Sequence, residues 1–423
     1  MRRYLSPFFS VFFVLTFMGF ASATNGDNLM AVGPIARSMG GVGIAAPQDA
    51  ISAVFANPAA MCFGPYCPGT EVNFGGTLFM PKVDATVTTS DGNVINASSD
   101  RKVYAIPAIG LSVPITNQWR FGLAAYGVSG LGVDYRNTSI DGAPLPGSGG
   151  QFPLLQGEYT QLQIMKFSPS ISYQVNNNLS LGLGVHIDYA NLDLRNGSSF
   201  NYGIGAQLGA IYKVADMITL GATYVTPQEV DYKNVVGTPA GSRDLKLASP
   251  QQVGVGIAME PIRNTLLLEL DGRWINWSSA TGYDDFDWKD QWVLALGAQY
   301  KPTKQLAFRI GYNYANNPVN EHNNFVGFNG TQNPPTTFVQ GIPFPNYYYE
   351  TFRIIGFPAV AKQHVSFGIG YEISNKFALN AGYTHAFKET ISENGTTPTS
   401  PVPVTLKSEL SEDSIEFGVT WRF

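Results

Sequence analysis

Leu179-Ser180-Leu181-Gly182-Leu183-Gly184-Val185-His186-Ile187-Asp188-Tyr189 alternates without a break between large apolar residues and small or polar ones. A strand turns successive side chains to opposite faces, so this stretch has one apolar side and one small-or-polar side. The pattern returns in Leu306, Phe308, Ile310, Tyr312 and Tyr314, set against Ala307, Arg309, Gly311 and Asn313. It returns again in Ile415, Phe417, Val419, Trp421 and Phe423, set against Ser414, Glu416, Gly418, Thr420 and Arg422. In a soluble sandwich the apolar side would face a core. Here it carries Trp and Tyr at its ends, as the interfacial girdle of a membrane barrel does.

Outward from these stretches, fourteen segments of this kind begin near Glu71, Lys102, Trp119, Tyr159, Leu179, Asn201, Met217, Lys246, Thr265, Gln291, Gln305, Gln363, Phe377 and Ser411. Short turns fall at Thr116-Asn117, Asn176 to Asn178, Ala215-Asp216, Pro261 to Asn264, Pro302 to Lys304 and Ser374-Asn375. A longer loop is expected one strand after each, the longest being Arg136 to Glu158 and Asn316 to Lys362. Tight turns on one rim and long loops on the other mark an outer-membrane barrel. Composition agrees. Charged residues make up 13% of the 423-residue chain, against ~25% in a soluble protein. After the amino terminus no apolar run approaches the ~20 residues of a helical span. A net charge of -5 leaves no basic footprint for nucleic acid. The fold expected is all-β: a transmembrane antiparallel barrel of about fourteen strands.

The start of the chain reads as an export signal. Arg2 and Arg3 precede the apolar run Phe8 to Phe20, and Ala21-Ser22-Ala23 is a small-x-small cleavage site. Cleavage near Ala23 would make Thr24 the mature start. No Cys follows the site, so a lipoprotein is not expected. The stretch Ala31 to Met61 then breaks the strand pattern. Gly33, Gly40, Gly41 and Gly43 permit unusual backbone angles, and Pro34, Pro47 and Pro58 interrupt any ladder. It is apolar and nearly uncharged, so something must cover it. The inward barrel face is mostly Gly, Ala, Ser, Thr, Asn and Gln, which leaves a lumen of real volume. Residues 1–23 are thus expected as signal peptide, 24–69 as a hatch filling the lumen, and 70–423 as the barrel.

Other groups point less far. Cys62 and Cys67 flank Phe-Gly-Pro-Tyr, and in an oxidising compartment they are expected to form a local disulfide. Asp284, Asp285, Asp287 and Asp290 share a loop, but without the spacing of an EF-hand. His186, His322, His364 and His385 are scattered over separate segments and nominate no Ser–His pair. No enzyme activity, cofactor or metal is expected. Phe338, Ile342, Phe344 and Tyr347 to Tyr349 make the largest loop apolar, and are candidates for capturing hydrophobic cargo from outside. The alternative is packing among loop residues.

With Ala36-Arg37-Ser38-Met39-Gly40-Gly41-Val42-Gly43, the spacer Asp49-Ala50, then Asn57-Pro58-Ala59, the chain resembles the FadL/TodX-type outer-membrane transporters of hydrophobic compounds. Gly130-Leu131 followed by Asp134-Tyr135 is a second point of resemblance. The resemblance implies fourteen strands, an amino-terminal hatch and a lateral opening beside a kink in the third strand. The hatch residues would be Gly40, Gly41, Gly43, Asn57, Pro58 and Ala59. The kink would lie at Gly127, Gly130, Leu131 and Gly132, because glycine weakens a strand interior and marks bends. The expected function is uptake of long-chain fatty acids or hydrocarbons across the outer membrane of a Gram-negative bacterium. The expected partners are fatty acid-like molecules and outer-membrane lipid, with the protein a monomer. A hydrophilic diffusion pore, or a structural or secretion-partner barrel, is the alternative.

Overall fold

The computed structural model describes residues 24–61, 69–146, 148–150, 152–195, 197–238, 240–331 and 333–423. Fourteen antiparallel strands form the wall. They are β1 Glu71–Thr89, β2 Tyr104–Pro114, β3 Trp119–Asp134, β4 Tyr159–Gln174, β5 Leu179–Leu194, β6 Gly197–Ala215 and β7 Ile218–Val225. The second half comprises β8 Gln252–Ile262, β9 Leu266–Ile275, β10 Gln291–Tyr300, β11 Leu306–Ala315, β12 Gln363–Ser374, β13 Phe377–Thr396 and β14 Pro403–Arg422. Each pairs with the next, and β14 returns to β1 through Arg422↔Glu71 and Ser411↔Lys82. Closure leaves no edge strand, which a bilayer requires because it cannot satisfy free backbone groups. No helix among the described residues is long and apolar enough to cross a membrane.

The alternation in sequence becomes the two faces of the wall. Leu181, Leu183, Val185, Ile187 and Tyr189 are exposed on the outside, while Ser180, His186 and Asp188 are buried inside. Phe308, Ile310 and Tyr314, and Phe417 and Trp421, are exposed in the same way.

Strand starts agree with the sequence to within a few residues, with three differences. Lys246 does not start a wall strand. It lies in a separate hairpin, Gln228–Thr238 with Gly241–Ser249, and β8 begins at Gln252. Pro250 intervenes, and proline has no N–H to continue a ladder. β14 starts at Pro403 rather than Ser411, because its pairing with β13 runs on to Thr396↔Pro403 beyond a bulge between Ala386 and Glu389. β6 starts at Gly197 rather than Asn201, and only two residues separate it from β5 where a longer loop was expected.

Inside the wall lies the segment 24–61. A small hairpin pairs Thr24 with Leu29 and Asn25 with Asn28. Two helices follow, α1 Pro34–Ser38 and α2 Ala50–Ala56. Pro34 starts α1, where its missing N–H costs nothing. Asp49 caps α2, its side chain accepting from the Ser52 N–H at 2.8 Å. The helix ends at Asn57, held extended (φ −159°, ψ 103°), as the residue before a proline is biased to be. Almost every residue of the segment is buried. Residues 1–23, expected as a signal peptide, and both Cys62 and Cys67, expected as a disulfide, lie outside the described residues.

Candidate functional site

Wall groups from around the barrel hold segment 24–61. The Gly43 and Ile44 amides donate to Asp271 Oδ2 at 2.9 and 3.0 Å, and the Ala45 and Ala46 amides to Glu269 Oε1 at 2.8 and 3.0 Å. Both carboxylates stand on β9. The Arg37 Nε donates to Glu416 at 2.8 Å and its Nη2 to Ser414 at 2.8 Å, both on β14. Ala50 N–H donates to Asn73 of β1 at 2.8 Å. The β5 hydroxyl of Ser180 donates to Ala59 O at 2.7 Å. Contact is closest at Gly40, which has φ +72° and lies so near Gly311 of β11 that a Cβ there would strike its backbone. No L side chain suits either position.

Asn57 is the best-connected side chain of the segment. Its Nδ2 donates to Ile44 O at 2.8 Å within the segment, and to the wall carbonyls of Ala210 and Ala222 at 3.1 and 3.3 Å. Its Oδ1 accepts from Ala59 N–H at 3.1 Å. Pro58 and Ala59 continue as a 3-10 turn against the wall. Gly41, by contrast, gives its carbonyl to Arg273.

The third strand opens the wall. β2 and β3 pair from Pro114↔Arg120 up to Ala108↔Tyr126, and no further among the described residues. The residues beyond, 104–107 of β2, pair with β1, and 127–134 of β3 with β4. Two local causes coincide. Pro107 has no N–H for the ladder. Val128 is an extra residue: Gly127 pairs with Met165 and Ser129 with Ile164, so β3 bulges and bends there. Leu131 and Gly132 pair with Leu162 and Gln161. The result is a gap, a wall cavity of about 230 Å³ lined by Leu29, Phe79, Tyr104, Ile106, Gly127 and Gly130 among others. On its inner side the segment supplies the missing strand. Asn28 bridges to Ser129, and Gly130 N–H donates to Asp27 O at 3.3 Å. Asp27 is fixed in turn by the Tyr283 hydroxyl, and burial pushes its carboxyl up to about 6.

A second cavity lies inside the lumen, between Asn28, Leu29, Phe55, Tyr126 and Val128, with Lys166, His186 and Arg273 on its walls. Leu29 borders both cavities, so it is the partition between lumen and wall gap. The two cations are engaged: Lys166 with Asp188 at 2.8 Å and Gln228 at 2.6 Å, Arg273 with the Met30 carbonyl at 2.9 Å.

Above the lumen the long loops form a cap. Phe338 is 62% exposed, Phe344 is half-buried, and Ile342, Tyr347, Tyr348 and Tyr349 are buried. The Tyr347 and Tyr348 hydroxyls donate to Leu154 O and Pro153 O, each at 2.8 Å. The tyrosines thus knit two loops together, and Phe338 remains the outward apolar contact of the set. The four acidic residues of the 276–290 loop diverge: Asp290 binds Trp274 and Ser278, whereas Asp287 binds His322.

His322, Glu350 and Glu393 bring ligand atoms within 4.8 Å of one another, but the Arg353 guanidinium occupies that position, 2.5 Å from Glu350 and 3.0 Å from Glu393. The imidazole Nδ1 faces Glu350 at 2.9 Å and Nε2 faces Asp287 at 2.8 Å, while the His322 N–H donates to Glu393 at 2.9 Å. Glu350 first, and Asp287 with it, raise the imidazole above its ordinary 6.5 against the opposing pull of burial and of Arg353. A histidine raised on folding contributes stability fully present below 6.5 and lost as pH rises through its folded value. Loop 316–362 is therefore expected to be more protected at pH 6 than at pH 8.5 in amide exchange. The difference should vanish in His322→Gln; a difference that persists removes His322 as its source.

The sequence matches the model of the outer membrane protein transport protein family (OMPP1/FadL/TodX) over residues 13–199 and 194–327, more than half of the chain. The chain belongs to this family. Its members are transport channels of the outer membrane and not enzymes. No curated protein sequence matches it. Among solved structures, a FadL homologue from Pseudomonas aeruginosa superposes with a TM-score of 0.68 at 16% identity, covering 94% of this chain and 100% of its own. The P. putida toluene transporter TodX gives 0.62 at 18%, covering 93% and 99%. The Ralstonia pickettii toluene transporter TbuX gives 0.60 at 16%, also covering 93% and 99%. At these identities the likeness is one of fold. Several residues that shape the site of this FadL/TodX-family chain escape a reading by pattern. Pro107 and Val128 set the gap, Leu29 partitions it, and Glu269 and Asp271 anchor the segment. Of these Pro107 had a local signal, a proline within an alternating run, and alternation placed Glu269 and Asp271 on the inward face without saying what they bind.

Proposed function

We propose that this chain carries hydrophobic molecules from outside the cell into the outer membrane of a Gram-negative bacterium. Cargo is captured at the loop cap, passes into the lumen cavity and leaves sideways between β2 and β3 into the bilayer. Residues 24–69 serve as a hatch that closes the straight path to the periplasm, residues 70–423 as the barrel, and residues 1–23 as the export signal removed near Ala23. The protein works as a monomer, since each wall encloses its own hatch. The observation that carries this reading is the gap itself. It is a largely apolar opening in the wall, backed by a short strip of the segment, with Leu29 bordering both it and the lumen cavity. Unpaired backbone is tolerated at membrane depth only where protein or a cavity covers it, and here the strip covers it.

Two of the similar structures, TodX and TbuX, are toluene transporters, which supports a hydrophobic substrate here. With Lys166 neutralised by Asp188 and Arg273 turned to hatch carbonyls, the lumen cavity favours an uncharged hydrocarbon over a fatty acid carboxylate. Purified protein is expected to retain apolar molecules detectable by mass spectrometry and to show no steady ion conductance in a planar bilayer. Ligand-free protein with the constant ohmic current of a porin would replace this reading with that of a hydrophilic pore.

A further inference from the structure

Thr24 sits deep in the barrel, 2% exposed, and so does Glu412 on β14, also 2% exposed. The Thr24 hydroxyl donates to both oxygens of the Glu412 carboxylate, at 2.8 and 3.1 Å. The Thr24 backbone nitrogen is directed at the same carboxylate. No Lys, Arg or His among the described residues forms an ion pair with Glu412. The nearest guanidinium, that of Arg37, is committed to Glu416 at 2.8 Å and Ser414 at 2.8 Å. His364, fully buried, faces Thr24 from β12. A carboxylate this deep without a cation is costly to ionise. An amide N–H in front of it supplies a hydrogen bond but no charge.

Processing changes that nitrogen. A leader peptidase hydrolyses the Ala23–Thr24 amide with one water. The new carboxylate departs with the leader, and the amine stays on Thr24 and takes a proton near neutral pH. We propose that cleavage after Ala23 creates an ion pair between the Thr24 α-ammonium and Glu412 inside the lumen, and that this pair locks the start of the hatch. Glu412 is the receptor for the chain's own new terminus. The consequence reaches the wall gap at once. Thr24 pairs with Leu29 in the small hairpin, and Asp27, Asn28 and Leu29 are the residues that seal the gap. Processing thus adds an ionic tie to a seal that otherwise rests on neutral contacts and on the Tyr283–Asp27 bond, so gating is sensitive to maturation. This inference rests on the proposed cleavage after Ala23.

The test compares the exported native protein with a variant carrying Gly-Ser inserted between Ala23 and Thr24, and with Glu412→Gln. The amino termini are first read by sequencing. Heat-modifiable migration confirms that each barrel is folded. Reductive methylation of the α-amine is then followed by mass spectrometry. In the native protein the α-amine should react about tenfold or more slowly than in the inserted variant, the change that one pKa unit of stabilisation gives. Glu412→Gln should remove the protection. If Glu412→Gln does not fold, the comparison of native with inserted protein still decides. A native start at Thr24 with equal rates overturns the lock alone. A native start elsewhere overturns the processing reading, and the lock with it.

Discussion

Gly130→Trp should leave the barrel folded and reduce uptake of a hydrophobic substrate at least about tenfold, equivalent to about 1.4 kcal/mol of barrier. Gly130 lines the wall cavity of about 230 Å³. A Cβ placed on it meets only the Leu162 carbonyl, at 3.9 Å, and its φ does not lie in the left-handed region. A large side chain at this position therefore extends into open space between β2 and β3 without straining the strand. The same substitution at Gly127 would be uninformative, because Ile106 already fills the space beside it. Gly130→Ala is the control and should transport like the wild type. Transport of a labelled hydrocarbon into cells, with heat-modifiable migration as the folding check, measures the effect. Undiminished transport by a folded Gly130→Trp protein would exclude the sideways exit.

Asn57→Ala should have the largest effect on closure. The buried amide ties Ile44 of the segment to Ala210 and Ala222 of the wall and receives Ala59 N–H. Its removal leaves the buried Ile44 carbonyl and the buried Ala59 N–H without that partner, at a cost of about 1–3 kcal/mol for each group left unsatisfied. The wall's own ladder does not use Asn57, so β6 and β7 should stay paired. The expected result is a folded barrel that conducts ions in bursts where the wild type is quiet, in single-channel recording. A variant as quiet as the wild type would reduce Asn57 to a shaper of the turn at Pro58.

The wall was legible because its signals are local. Period-2 alternation and turn residues act over a few positions, and that suffices to find fourteen strands. Lys246 misleads for the same reason. A hairpin that is not part of the wall alternates as a wall strand does, and only Pro250 and Gln251 separate the two. The gap was half legible: Gly127, Gly130 and Gly132 mark a weak strand, but a bulge at Val128 is defined by its pairing with β4. The anchoring of the segment was not legible. Alternation says that Glu269 and Asp271 point inward, yet nothing near them in sequence says that four amides of residues 43–46 arrive there. The loop cap shows the limit of composition. Phe338 and Tyr347 look equally apolar in sequence, and only a partner 193 residues away, Leu154, decides that the Tyr347 hydroxyl is satisfied inside.

The seam between β14 and β1 is braced from within. Glu416 and Ser414 stand on one side of it and Asn73 on the other, and all three bind the same enclosed segment. The segment is therefore a cross-brace: parting β14 from β1 would break the bonds of Arg37 and of the Ala50 amide as well as the ladder between the two strands.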